Sequence, residues 1–122
     1  MSQVPAAALA AAQAAIVTAG TTYYLSLNTA DPGATGANEG TGLTRQAITF
    51  GSPTSATPSV QSSTDSQSFP GMPGGATYGY FSVWTAATGG SFVRGGQLNT
   101  AITPAAQSSV TVATGQIYFQ AA

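Results

Sequence analysis

The chain has 122 residues, and only five of them are charged: Asp31, Glu39, Arg45, Asp65 and Arg94, giving a net charge of −1. That is 4% charged residues, where soluble domains usually carry about 25%. With no Lys, His or Cys, the chain lacks an imidazole base, a thiolate nucleophile, a Schiff-base amine, a disulfide and the nitrogen and sulfur ligands of zinc. No basic patch is available for a nucleic-acid backbone or an anionic membrane. Hydrophobic residues still reach 43%, so the composition predicts a folded chain rather than a disordered one, with no enzymatic activity and no cofactor.

Residues 4–19 are predicted to form the single helix. Pro5 suits the first helical position, alanine fills the interior, and Gly20 stands where a left-handed C-terminal cap belongs. The start lacks the positive n-region of a signal peptide, and the run from Pro5 to Val17 is shorter than the roughly 20 residues of a membrane span. Leu9, Ile16 and Val17 give this helix a narrow apolar stripe, too thin to drive burial strongly. Residues 1–20 therefore read as an attachment arm, laid against a neighbour or a partner subunit, and residues 21–122 as the body.

From Tyr23 the hydrophobic period changes to two, with Tyr23, Leu25 and Leu27 on one face of a strand. Asn28 to Gly33 is a dense turn signal, and the loop continues to Gly42 before a strand resumes near Arg45, with Ile48 and Phe50 on one face. Gly51 to Gly75, rich in Ser, Thr and Pro, reads as a long irregular stretch in which Val60 seeds at most a short strand and Phe69 and Met72 act as anchors. Thr77 to Thr85 is the clearest strand. Phe81 and Val83 share one face and Tyr78, Tyr80 and Trp84 the other, which predicts a central strand covered on its second side by a helix, a loop or another subunit. Ser91 to Leu98 is expected to bend or bulge at Gly95 and Gly96. Two further short strands, Ser109 to Ala113 and Gln116 to Gln120, follow, with Thr114-Gly115 supplying the turn between them. The sum is an all-β chain of six to eight strands, an antiparallel β-sandwich or jelly-roll-like barrel preceded by one Ala-rich helix.

Few residues could carry chemistry. The loop from Asp31 to Glu39 offers two carboxylates and an amide, oxygen ligands of the kind calcium takes, but without EF-hand spacing. A plainer reading is that Asp31 opens an Asx-type turn while Glu39 pairs with Arg45 across the base of the loop. The same two acids could in principle serve as the carboxylates of a glycosidase, although so short a chain rarely supplies the deep cleft as well. Among the aromatics, Tyr80 and Trp84 are the candidates for a contact surface or a sugar-stacking platform.

The stretch Tyr24-Leu-Ser-Leu-Asn-Thr-Ala-Asp-Pro-Gly-Ala-Thr-Gly-Ala-Asn-Glu39, followed by Arg45-Gln-Ala-Ile-Thr-Phe50 and by Gly89-Gly90 before Phe92, resembles a family of small tailed-bacteriophage virion proteins, many of them tail fibre or minor tail proteins of actinobacterial phages. The likeness covers residues 23–50 and, more loosely, 78–119, leaving the N-terminal helix outside it. Asn28 stands where that family's loop has a histidine, and Leu43-Thr44 where an aromatic precedes the arginine. The resemblance implies a structural role in a virion, on the tail or as a capsid decoration or head fibre.

Charge near zero promotes association, so the composition predicts permanent assembly. The partners expected are further copies of the chain, with a trimer favoured, and other virion proteins, with no nucleic acid and no membrane. The alternative is a carbohydrate-binding module that contacts host cell-wall glycan through Tyr80 and Trp84.

Overall fold

A computed structural model describes residues 6–55 and 59–121. One helix, α1 (Ala6–Ile16), precedes eight strands: β1 (Tyr23–Asn28), β2 (Gln46–Ile48), β3 (Ser59–Ser62), β4 (Gln67–Met72), β5 (Tyr78–Trp84), β6 (Phe92–Ile102), β7 (Ser108–Val112) and β8 (Tyr118–Ala121). All pairings are antiparallel. They form a four-stranded sheet in the order β2-β1-β5-β6 and two ribbons, β3-β8 and β4-β7.

Alternation decides which face each strand buries. Leu25, Leu27, Phe81 and Val83 of the large sheet pack with Phe69, Met72, Val112 and Phe119 of the ribbons and with Ile117 just before β8, forming one apolar cluster. Its centre is aromatic: Phe119 lies 5.3 Å from Phe50 and 5.6 Å from Phe81, ring centroid to centroid. Burying each such ring stabilises the fold by about 1.5–3 kcal/mol. The layers are also stitched through the backbone, because the N–H of Gly51 donates to Ser62 O and that of Thr64 to Thr49 O, carrying β2 across towards β3. The result is an antiparallel, sandwich-like arrangement.

Three local expectations need correction. Positions 4 and 5 of the expected helix lie outside the described residues, and the helix ends at Ile16 rather than residue 19 because Val17 turns fully into the core. The chain then reverses through Gly20 at φ 78°, as a left-handed cap requires. The stretch 51–75 is not irregular throughout: it contains β3 and β4, whose buried positions include Ser59, Gln61 and Gln67. Nor do Gly95 and Gly96 form a bulge, for both pair in register with Ser82 and Phe81, and the irregularities fall at Tyr78/Tyr80 and Val83/Trp84. The glycines serve close approach instead. A methyl on Gly95 would lie 2.5 Å from Pro32 Cγ and 2.8 Å from Phe81 O, and one on Gly96 would lie 2.9 Å from the Phe81 ring.

Candidate functional site

The chemistry-bearing residues gather on the second face of the large sheet, beneath the loop that joins β1 to β2. On that face β1 presents Tyr24, Ser26 and Asn28 opposite Trp84, Ser82 and Tyr80 of β5. The loop begins with an Asx turn, in which the N–H of Gly33 donates to Asp31 Oδ1 at 2.9 Å. It crosses the sheet with Pro32 against Gly95 and Gly36 against Trp84 and Phe92, and returns at Gly40, whose N–H donates to Leu27 O. At Gly40 an added methyl would lie 2.6 Å from the Tyr78 ring and 2.7 Å from Leu43. Tyr78, which packs in the apolar cluster beyond the β5–β6 irregularity at Tyr78/Tyr80, is buried to 1% exposure.

Arg45 fastens the returning end. Its Nε and Nη2 donate to Glu39 Oε2 and Oε1 at 2.8 and 3.0 Å, and its Nη1 donates to Ala86 O and Gly89 O at 2.9 and 2.7 Å. The guanidinium also lies 4.0 Å from the Trp84 ring centroid, a cation–π contact shielded from water. The bidentate bond from Arg45 holds the Glu39 carboxyl below its ordinary pKa, against the opposing effect of partial burial. Glu39 therefore stays ionised and is poorly suited to serve as a general acid. Under the loop a buried polar chain runs from Trp84 Nε1 to Ser82 Oγ at 2.8 Å and from Ser82 Oγ to Asn28 Oδ1 at 2.7 Å, while Asn28 Nδ2 donates to Ala37 O. A polar cleft of about 300 Å³ opens beside the ion pair, between Glu39–Arg45 and the 87–89 turn. Among the described residues no three acidic groups gather as metal ligands would.

A second constellation, which sequence reasoning missed, holds α1. Gln13 is 1% exposed. Its Nε2 donates to Ser59 O at 2.8 Å and to Ser59 Oγ at 3.2 Å, and its Oε1 accepts from Arg94 Nη1 at 2.7 Å. Arg94 lies 4.4 Å above the Phe119 ring, and burial pulls its pKa down from the usual arginine value. Gln61 Nε2 donates to Val17 O and Gly51 O, while the Thr18 N–H donates to the Tyr23 hydroxyl. The sequence signal was present: a lone glutamine in an alanine helix, and serine or glutamine at positions 59, 61, 63 and 67. Buried polar partners give no hydrophobic periodicity.

The expected contact residues are scattered. The side chain of Leu9 lies outside the described residues. Ile16 is 48% exposed, whereas Val17 is fully buried and is thus no surface residue. Tyr80 and Trp84 share a face and are both half-buried, but Trp84 carries Arg45 on its ring and Phe92 against its edge at 5.5 Å. No described helix is long and apolar enough to cross a membrane.

This β-rich chain, with its Asp-Pro-Gly loop closed by an ion pair, matches a phage fibre family. The matching family model, described as Podophage GP4 fiber I protein gp80, covers residues 2–120, and the chain belongs to that family. It is therefore a structural phage fibre protein and a virion component. The match takes in α1, which the resemblance noted above had left out. No match was found among curated proteins or among solved structures.

Proposed function

We propose that this chain is a non-enzymatic building block on the outer surface of the particle, on the tail or as a head fibre, assembled through uncharged contacts with further copies and with neighbouring virion proteins. A cyclic homo-oligomer, with a trimer favoured, fits a fibre. The observation that carries this reading is that every charged side chain is engaged within the fold. Asp31 holds its turn, Glu39 and Arg45 hold each other, Asp65 accepts from the Thr49 N–H and Gln67 Nε2, and Arg94 donates to Gln13. Neither a free titrating pair nor a charged patch is left for catalysis or for a charged ligand.

Attachment falls to the outward side of α1, where short alanine side chains permit close approach at little entropic cost and Ile16, among the described side chains, supplies a large apolar group. Immunogold labelling of intact particles tests surface exposure, and unlabelled intact particles beside labelled disrupted ones would refute it. Ile16→Gln, which keeps a neutral side chain at a position 48% exposed, is expected to lower incorporation into particles at least tenfold while the chain stays folded by circular dichroism. Normal incorporation of that variant would remove α1 as the attachment device.

The carbohydrate-binding alternative is the weaker reading, because the Arg45 guanidinium covers Trp84 and leaves Tyr80 as the more available stacking ring. Host-wall glycan binding that disappears in Tyr80→Ala would revive it.

A further inference from the structure

Near its start the β1–β2 loop carries the peptide bond between Asp31 and Pro32, and the fold fixes the groups on either side of it. Asn38 Nδ2 donates to the carbonyl oxygen of Asp31 at 3.0 Å, and the N–H of Gly33 donates to Asp31 Oδ1 at 2.9 Å. To meet an N–H two residues downstream, an aspartate side chain bends along its own C=O. The carboxyl is thereby held beside the carbon on which a five-membered ring would close. Asn38 reaches that carbonyl from the left-handed region, at φ 64°, a conformation uncommon for any residue but glycine. Its own carbonyl oxygen accepts from the Thr29 N–H at 3.1 Å, which keeps the amide in place. Asp31 is exposed to solvent, and among the described residues it pairs with no cation. Pro32 is buried against Gly95, and its carbonyl oxygen accepts from the N–H groups of Gly36 and Ala37 at 3.0 Å each.

We propose that the Asp31–Pro32 bond is a self-scission site, at which the protonated Asp31 carboxyl attacks its own main-chain carbonyl carbon while Asn38 holds the carbonyl oxygen. A carboxyl oxygen bonds to that carbon and closes the five-membered ring, with the reacting groups already side by side. The Asn38 amide stabilises the negative charge that develops on the carbonyl oxygen, as an oxyanion-hole donor does. The C–N bond then breaks, its electron pair goes to Pro32 N, and the carboxyl proton passes to that nitrogen directly or through water. Residue 31 is left as an aspartyl anhydride and Pro32 as a free amine; one water opens the anhydride to two carboxyl groups. The competing reaction, attack of the following backbone nitrogen on the side chain, is closed because proline has no N–H. The event consumes its own bond and so gives no turnover. Both new ends keep their seats, one behind β1, which is bonded to β2 and β5, the other under Gly95. The loop is opened and gains an amine in a chain that has only two cations.

The test is incubation of the full chain near pH 4.5, folded by circular dichroism and, in parallel, unfolded in urea, with fragments 1–31 and 32–122 counted by mass spectrometry. In urea the bond keeps only its local chemistry. The folded wild type is expected to yield the two fragments at least fivefold faster than the unfolded chain. Asn38→Gly, which accepts the left-handed backbone but removes the donor, should fall to the rate seen in urea while remaining folded. If that variant does not fold, Asn38→Asp, which keeps the side chain's size and loses its N–H donor, is read in the same way. Asp31→Glu, whose ring would need six members, should yield no fragments above those of a blank. Scission no faster in the folded chain than in urea, scission as fast without the Asn38 donor, or fragments that persist in Asp31→Glu overturns the proposal.

Discussion

The helix α1 and the loop between β1 and β2 cover different parts of the same β body, and each is pinned by one arginine lying over an aromatic ring. Arg94 sits over Phe119 and reaches the neutral amide of Gln13, whereas Arg45 sits over Trp84 and reaches the carboxylate of Glu39. The helix is held by buried polar bonds that would be costly to leave unmade. The loop is held by glycines that let backbone lie directly on rings, with a salt bridge at its end. With only two cations in the chain, each fastens a cover to the sheets. The difference between the two lies in what should disturb them: removal of an amide for the helix, steric bulk or acid for the loop.

The largest effect is expected at the helix. Gln13→Ala removes the Ser59 contacts and leaves Arg94 without its amide partner, and should lower unfolding free energy by about 3 kcal/mol, read from urea denaturation. Gln13→Leu, which restores volume but not the bonds, should lose nearly as much; a leucine variant as stable as wild type would make the docking simply hydrophobic and erase the contrast. Next comes Gly36→Ala. Its methyl would lie 2.8 Å from Trp84 and 2.9 Å from Phe92, at a residue with φ 77°. A loss of about 2 kcal/mol should be accompanied by altered tryptophan fluorescence, while α1 stays docked.

The smallest effect belongs to the ion pair. Glu39→Gln should cost about 1 kcal/mol at neutral pH. Its signature is the pH profile. The folded-state pKa of Glu39 lies below the ordinary 4.5, so the pair's contribution is fully present above 4.5 and is lost as pH falls through the lower, folded-state value. Wild type should therefore lose stability more steeply than Glu39→Gln on acidification below about 4.5. Parallel profiles would show that the carboxylate's charge does not matter to the loop.

The strands with an apolar inner face were legible in the sequence. Leu25 and Leu27, Phe81 and Val83, and Ile117 and Phe119 mark β1, β5 and β8 by simple alternation, and the turn residues between them punctuate the chain as expected. The second face of β5 carried aromatics that called for a cover, and the cover is the β1–β2 loop. What alternation could not reveal is β3, where Ser59 and Gln61 point inward because they bind Gln13 and the Val17 and Gly51 carbonyls. Hydropathy reads such a strand as loop. For the same reason hydropathy gives no weight to Gln13 in its alanine helix, although it is the residue that docks the helix. Val17 misled in the opposite sense: helical spacing placed it on a stripe with Ile16, but the helix ends one residue earlier and turns it inward. Alternation grouped Tyr78 with Tyr80 and Trp84, whereas beyond the irregularity at Tyr78/Tyr80 it packs in the apolar cluster, close against Gly40 from a distant part of the chain.

On the proposed reading of the chain as an assembling subunit, its near-neutral charge also sets how quickly partners find one another. Without a field to steer them, partners should associate at roughly 10⁵–10⁶ M⁻¹s⁻¹, the range of unsteered encounters, and that rate should hardly change between dilute and concentrated salt. A fibre component assembled in this way would join its particle without haste and hold its contacts alike in fresh water and in brine.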